Sequence, residues 1–209
     1  MTGFCLCIFM TIHSCKTEQT SVVCDATNTA ALPSDAAARF YFKDSSYWVY
    51  RDSVSGQLDS QWVFISETGA KSLTVEDSED KCFSYANYAV NSKSGILYHF
   101  YLSPQGIQNG YNYFELIVQP YNSSHPIAFA AVKGNAYNTI GKTDSRLDSI
   151  PALLVNGTVY KDVFIRESTL PALYPDIYTT GYYVRHIGLV KYIRKDGSIW
   201  ELLRYRIRQ

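Results

Sequence analysis

The sequence predicts an all-β domain: a single curved antiparallel sheet, half-barrel or barrel-like in form. Three observations lead there. Aromatic and β-branched residues crowd and alternate along short segments such as "YWVYRDS" and "LDSQWVFIS". Tight-turn signals separate such segments, namely Gly56 in "VSGQ", Asn156-Gly157 and Asp196-Gly197. No long stretch repeats its apolar residues every three or four positions, as a buried helix face requires. The chain has 209 residues, 46% of them hydrophobic and 15% aromatic, enough for one domain with a sizeable core. Nineteen basic residues balance nineteen acidic ones, so the total charge gives no footprint for nucleic acid or for an anionic membrane surface, and a local patch would have to be shown by its own residues.

The first element is a leader. Phe4 to Ile12 form a mostly apolar run in "MTGFCLCIFMTIHSCKTEQ", with no charged residue before Lys16. A bilayer-spanning helix needs about 20 apolar residues, whereas a secretory signal core needs about 7 to 15. The run ends at "IHSC", which resembles a bacterial lipobox, the site at which a signal is cut before a lipid-bearing cysteine. Residues 1–14 are therefore expected to be a signal peptide, with Cys15 the lipid attachment point. Residues 15–35 are expected to be a polar tether and residues 36–209 the β domain. Cleavage would leave Cys24 and Cys82 in an oxidising compartment, where a bridge between them is a candidate. Two unpaired thiols are the other reading.

The domain then reads as strands. Residues 40–66 predict a hairpin with bulky residues on both faces, Trp48 and Tyr50 projecting from one side of their strand and Trp62 and Phe64 from one side of theirs. "DAAARF" predicts a short helical turn with Asp35 as its cap. "GILYHFYL" and "YNYFELIVQ" predict strands joined by a turn at "SPQGIQNG", and "HPIAFAAVKG" a further strand. Residues 76–81 read as an acidic surface loop. Asn156-Gly157 predicts a hairpin within "PALLVNGTVYKDVFIRE". In the C-terminal hairpin, pairing Lys195 with Ser198 would place Ile199, Leu203, Tyr205 and Ile207 on the core face with Val190 and Tyr192. Trp200, Leu202 and the basic row Arg185, Lys191, Arg204, Arg206 and Arg208 would lie on the other. In that register Tyr205 would cross the bare backbone of Gly188. A slip of one residue exchanges the faces.

Three of these stretches, "FYFKDSSYWVYRDSVSGQLDS", "LLVNGTVYKDVF" and "YYVRHIGLVKYIRKDGSIWELLRYRI", resemble hypothetical cell-envelope lipoproteins of Bacteroidetes. The shared features are a Tyr-Trp-Val-Tyr strand, an Asn-Gly hairpin, a Gly-Leu-Val-Lys strand and a final strand with Trp-x-Leu. The resemblance implies an outer-membrane lipoprotein of the bacterial envelope with a curved antiparallel sheet. It brings no catalytic residues.

Motifs for chemistry are sparse. His99, His125 and His186 have no metal-ligand spacing, and no nucleophile or phosphate-loop motif occurs, so neither metal nor cofactor is expected. Glu115, Glu167 and Glu201 fall in predicted strands and could supply the two carboxylates of a carbohydrate hydrolase. Solvent-facing carboxylates are the favoured reading. Trp48, Tyr50, Trp62 and Phe64 are the candidate ligand-face aromatics, weighed against a core role. The basic row reads as the guard of an edge strand, or as a contact for anionic lipid or polysaccharide. The expected function is that of a non-catalytic envelope lipoprotein, membrane-bound through its lipid, that binds a glycan or protein ligand. A hydrolase and a purely structural envelope protein are the alternatives.

Overall fold

The computed structural model describes residues 23–72, 82–93, 98–108, 111–120, 127–133, 136–138, 145–168 and 178–209. Cys15, the expected signal, the acidic loop 76–81 and His125 lie outside the described residues. In chain order the elements are β1 (Thr29–Ala30), α1 (Ser34–Phe40), β2 (Tyr47–Asp52), β3 (Leu58–Ser72), β4 (Cys82–Ser92), β5 (Tyr98–Gln108) and β6 (Tyr111–Pro120). They continue with β7 (Ile127–Lys133), β8 (Ala136–Asn138), β9 (Ser145–Val155), β10 (Thr158–Ser168), β11 (Thr180–Val184), β12 (Gly188–Ile193) and β13 (Ile199–Arg206).

All thirteen strands join one sheet in the order β8-β7-β6-β5-β4-β3-β2-β13-β12-β11-β10-β9, with β1 beside β4. Two antiparallel meanders, β2 to β8 and β9 to β13, are thus joined through the pairing of β2 with β13. This corrects the expected form in two ways. The sheet is open and not strongly curled, with edges at β8 and β9, so it is neither a barrel nor a half-barrel. It is also mixed, because β1 runs parallel to β4 through Thr29–Cys82 and Ala30–Phe83. Closure requires the two edges to pair in a consistent register. Here β8 has only three residues, and β9 carries Pro151, which has no N–H to give a neighbour.

The turns show what the local chemistry dictates. Val155 pairs with Thr158 around Asn156 (φ 46°) and Gly157 (φ 81°), the two positive-φ residues of a type I′ hairpin. The C-terminal turn is one residue longer than expected. Arg194 bonds Ser198, Gly197 (φ 83°) donates to the Arg194 carbonyl, and Ile193 pairs with Ile199. That shift exchanges the faces at the start of β13, so Trp200 and Leu202 are buried, the reverse of the expectation. A bulge between Leu202 and Arg204, at Leu203 (40% exposed), then reverses the alternation again: Arg204 and Arg206 pair with Val49 and Tyr47, and Tyr205 pairs with Trp48 but is 44% exposed near the end of the strand. Val190 and Tyr192 do lie in the core. Phe42, not Tyr205, fills the space over Gly188 (φ +83°), where a Cβ would sit 2.8 Å from the Phe42 ring. Most of the segment expected as a turn, "SPQGIQNG", is strand, since β5 continues to Gln108, opposite Tyr111, with a bulge between Pro104 and Gly106.

The core gathers on one face of the central strands, beneath α1. Three consecutive alanines favour this helix. Its Ala36 and Phe40 are buried, with the Phe40 ring 4.8 Å from Tyr183 and edge-on to Phe164 at 5.7 Å. Trp48, 4% exposed, meets Phe42 edge-on at 5.0 Å and donates its Nε1 hydrogen to the Ile187 carbonyl at 2.6 Å. Tyr50 donates to the Leu189 carbonyl, and Tyr88 stacks on Phe100 at 4.6 Å. Buried Tyr and Trp are affordable only because such polar tips find acceptors.

The segment expected to be a free tether is fastened twice. Cys24 bridges Cys82, with Cα atoms 5.5 Å apart, and β1 adds its parallel pairing just beyond.

Candidate functional site

A cavity of about 410 Å³ opens between the N-terminal end of α1 and the β9–β10 hairpin. Asp35 and Arg39 lie one helical turn apart and form an i,i+4 ion pair, their side chains 5% and 4% exposed. Asp35 is therefore not the helix cap; Pro33 occupies that position. Arg39 Nε donates to both Asp35 oxygens at 3.1 and 3.2 Å. Its Nη1 donates to the Asp162 carbonyl at 2.8 Å and the Tyr183 carbonyl at 3.3 Å, and its Nη2 to Asp162 Oδ2 at 2.7 Å. Arg185 Nε donates to Asp35 Oδ1 and stands 3.5 Å from Asp162 Oδ2.

Burying a carboxylate and a guanidinium costs several kcal/mol each unless their hydrogen bonds are met. Here they are met by each other and by backbone carbonyls of β10 and β11. Asp162 supplies two of the acceptors because its backbone takes φ 52°, where Asp is tolerated better than most residues. Leu147, Asp148, Ser149 and Phe164 complete the lining. The result is a polar recess with hydroxyl, carboxylate and guanidinium groups along its walls, suited to a small hydroxylated or zwitterionic ligand. The buried Asp35 carboxylate and the exposed Asp162 carboxylate at its rim are both committed to guanidinium groups, an arrangement that fixes geometry rather than one that poises a proton donor.

The candidate aromatics separate. Tyr47 pairs with Trp62, Trp48 with Gln61 and Tyr50 with Asp59. Directly paired residues share a face, so Trp48 and Tyr50 lie in the core while Trp62 points to the opposite side. Phe64 falls at a bulge between Val63 and Ile65 and is part-exposed. The four do not form one strip.

The basic row separates as well. Arg185 pairs with Asp35, and Lys191 with Glu201 at 3.0 Å. Arg204, Arg206 and Arg208 are exposed. Their strand is no edge, because β13 lies between β2 and β12.

The strand glutamates are not brought together. Glu201 is held by Lys191, and Glu167 is 3.9 Å from Arg146. Their strands, β13 and β10, stand three positions apart in the sheet, roughly 14 Å by strand spacing. Glu115 lies on β6, farther away in the opposite direction. His99 accepts or donates at Tyr101 Oη, 2.7 Å away, and burial pushes its pKa down. Among the described residues no group of three His, Cys, Asp or Glu is placed to hold a metal ion.

The sequence reading missed the network of Asp35, Arg39, Asp162 and Arg185. A signal for part of it was present: Asp and Arg four apart on a short alanine-rich turn. The partners on β10 and β11 were beyond reach, since they come from 123 to 150 residues away. A second buried network was missed too. Tyr178 and Tyr183 share a hydroxyl contact at 2.6 Å, and Tyr192 donates to Asp59 at 3.3 Å. Arg194 lies 4.5 Å over Trp200. Burial pushes the pKa values of Tyr50, Tyr88, Tyr178, Tyr183 and Tyr192 up, mainly by desolvating the phenolate.

No protein-family model, no curated protein and no solved structure matches this chain.

Proposed function

We propose that the chain is a non-catalytic lipoprotein of the bacterial cell envelope, anchored through Cys15, whose folded domain holds a small polar ligand in the recess beside α1. The Cys24–Cys82 bridge carries this reading. Such bonds persist in oxidising compartments. This one lies nine residues past the cysteine of "IHSC" and fastens the chain to the domain where an anchor would pull on it. Binding is preferred to catalysis because the recess spends its charged groups on one another and because Glu167 and Glu201 lie too far apart for the pair of a glycosidase. Metabolic labelling with palmitate tests the anchor: the wild type should take up label in the membrane fraction, and Cys15→Ala should not. Equal labelling of the two proteins would overturn the anchor.

A further inference from the structure

We infer that the face of β3, β2 and β13 opposite the core is a docking surface for an anionic lipid bilayer, an inference that rests on the anchored-lipoprotein reading above. The pairing registers build this face. Trp62, Tyr47 and Arg206 form one row across the three strands, and Ser60, Val49 and Arg204 form the next, in which Val49 is buried beneath its neighbours and only the flanking side chains reach solvent. Strand spacing puts each row within about 10 Å and the two guanidinium groups about 7 Å apart along β13. Tyr47 is 37% exposed, and Arg204 and Arg206 are exposed. Arg208 and Lys43 extend the positive end, joined by the bond from the Lys43 N–H to the Arg208 carbonyl at 2.8 Å. Asp44 is the carboxylate adjacent in sequence, and it is exposed.

Two features mark this face. Among the described residues, Arg204, Arg206 and Arg208 form no salt bridge, as is true also of Arg51, Lys71, Lys93, Lys161 and Lys195; what is particular here is that three such arginines alternate along residues 204–208. Two of these cations, Arg204 and Arg206, thus lie open on a strand in the interior of the sheet, where no edge needs guarding, and Arg208 follows just past its end. Trp and Tyr stand beside them, the side chains that settle at the headgroup level of bilayers, apolar in body and polar at the tip. An open sheet face suits a planar partner better than a concave one. The linkage also supplies proximity. Cys15 and Cys24 are nine residues apart, at most about 32 Å of extended chain, so the bridge keeps the domain beside whatever membrane holds Cys15.

The test is vesicle flotation of the full chain with phosphatidylcholine alone and with added phosphatidylglycerol. Any contribution of the leader is common to both vesicles, so the readout is the increment caused by the anionic lipid. Each arginine near such a surface is worth about fivefold in partitioning, so Arg204→Gln with Arg206→Gln should lower the increment about thirtyfold. About 1 M salt should abolish it. Lys195→Gln, which removes one charge at the far end of β13, should leave it unchanged. Thermal midpoints equal to the wild type would show that the exposed substitutions leave the fold intact. An absent increment in the wild type overturns the proposal, as does an increment retained by the double variant. Binding to soluble dextran sulfate but not to anionic vesicles also overturns it, in favour of a polysaccharide partner. Palmitate labelling is independent of all these results, so a labelled chain without a charge-dependent increment keeps its anchor and loses this surface.

Discussion

Removing the Cys24–Cys82 bridge should cost the domain a large part of its stability. The bridge closes a loop spanning 58 positions that contains α1, β2 and β3. In the chain-entropy treatment a loop of that length restricts the unfolded state by about 14 cal/mol/K, or about 4 kcal/mol at 25 °C. For a domain of this size that corresponds to a fall in Tm of roughly 10 °C. The assay is thermal unfolding of oxidised and reduced protein, with mass spectrometry of alkylated thiols to verify each state. Cys24→Ala with Cys82→Ala should match the reduced wild type, apart from the small cavity left at the fully buried Cys82. Both should also become sensitive to proteolysis between residues 24 and 33, because β1 then holds the segment by two bridge pairs alone. A reduced protein that melts within about 2 °C of the oxidised one would refute the reasoning.

Other substitutions probe the core and the recess. Trp48→Ala should lose about 3 to 5 kcal/mol through the cavity beside Phe42 and the Ile187 carbonyl left without its donor, measured by urea unfolding; a loss below about 1 kcal/mol would contradict the packing. Gly188→Val should lose more than Gly197→Val. Both need positive φ, but only at Gly188 would a Cβ run into an aromatic ring, and Gly197 has open space around it. Asp35→Asn strips Arg39 and Arg185 of a shared carboxylate and should cost about 3 to 5 kcal/mol. The five buried tyrosines have raised pKa values, so their contribution is complete below the unfolded value of about 10 and is lost as pH rises beyond it. The share of tyrosinate absorbance that belongs to these five should therefore appear only as a step coincident with unfolding. At the acid end, hydrogen bonds from Ser55 and Val54 hold the Asp52 pKa down, so its contribution is present above about pH 4 and lost as pH falls through the folded value. Asp52→Asn should flatten that acid slope.

How much was legible depended on whether the deciding interaction was local. The hairpin at Asn156-Gly157 could be read because two adjacent residues with positive φ determine it. The hairpin at Asp196-Gly197 was read as a hairpin but in the wrong register. The turn residues fit a two-residue and a three-residue loop alike, and the choice rests on burying Trp200 beside Tyr192, whose rings stack at 5.9 Å. One residue of slip put Trp200 and Leu202 in the core, and a bulge between Leu202 and Arg204, equally unreadable from the turn, set the faces beyond it. The candidate Cys24–Cys82 bridge was visible as two cysteines left over after the leader, but no spacing rule could bring them together. The openness of the sheet was invisible, since alternation describes a strand alike in a barrel and in an open sheet. The recess was invisible for the same reason, its groups being gathered from α1, β10 and the end of β11.

The seam between β2 and β13 is where these long-range terms concentrate. Each meander is built from hairpins between neighbours in sequence, which close small loops. Joining the meanders requires residues 47–52 to meet residues 200–206. The aromatic stretch near the start of the domain makes that union. Trp48 and Tyr50 each bond a carbonyl of the second meander, 139 residues away, while the Ser46 hydroxyl accepts from the Arg208 N–H and donates to its carbonyl. Arg39 adds a further tie from α1 to the Asp162 and Tyr183 carbonyls. The crowding of aromatic and polar residues in "FYFKDSSYWVYRDS" is thereby explained on its core side, since apolar bodies fill the core and polar tips fasten the two halves. What remains on the opposite side is Tyr47, beside Trp62 and the unpaired arginines of β13. Packing within the described residues leaves Tyr47 and the arginines exposed and Trp62 half-buried, so the role proposed for them lies outside the domain, at the surface to which the anchor would hold it.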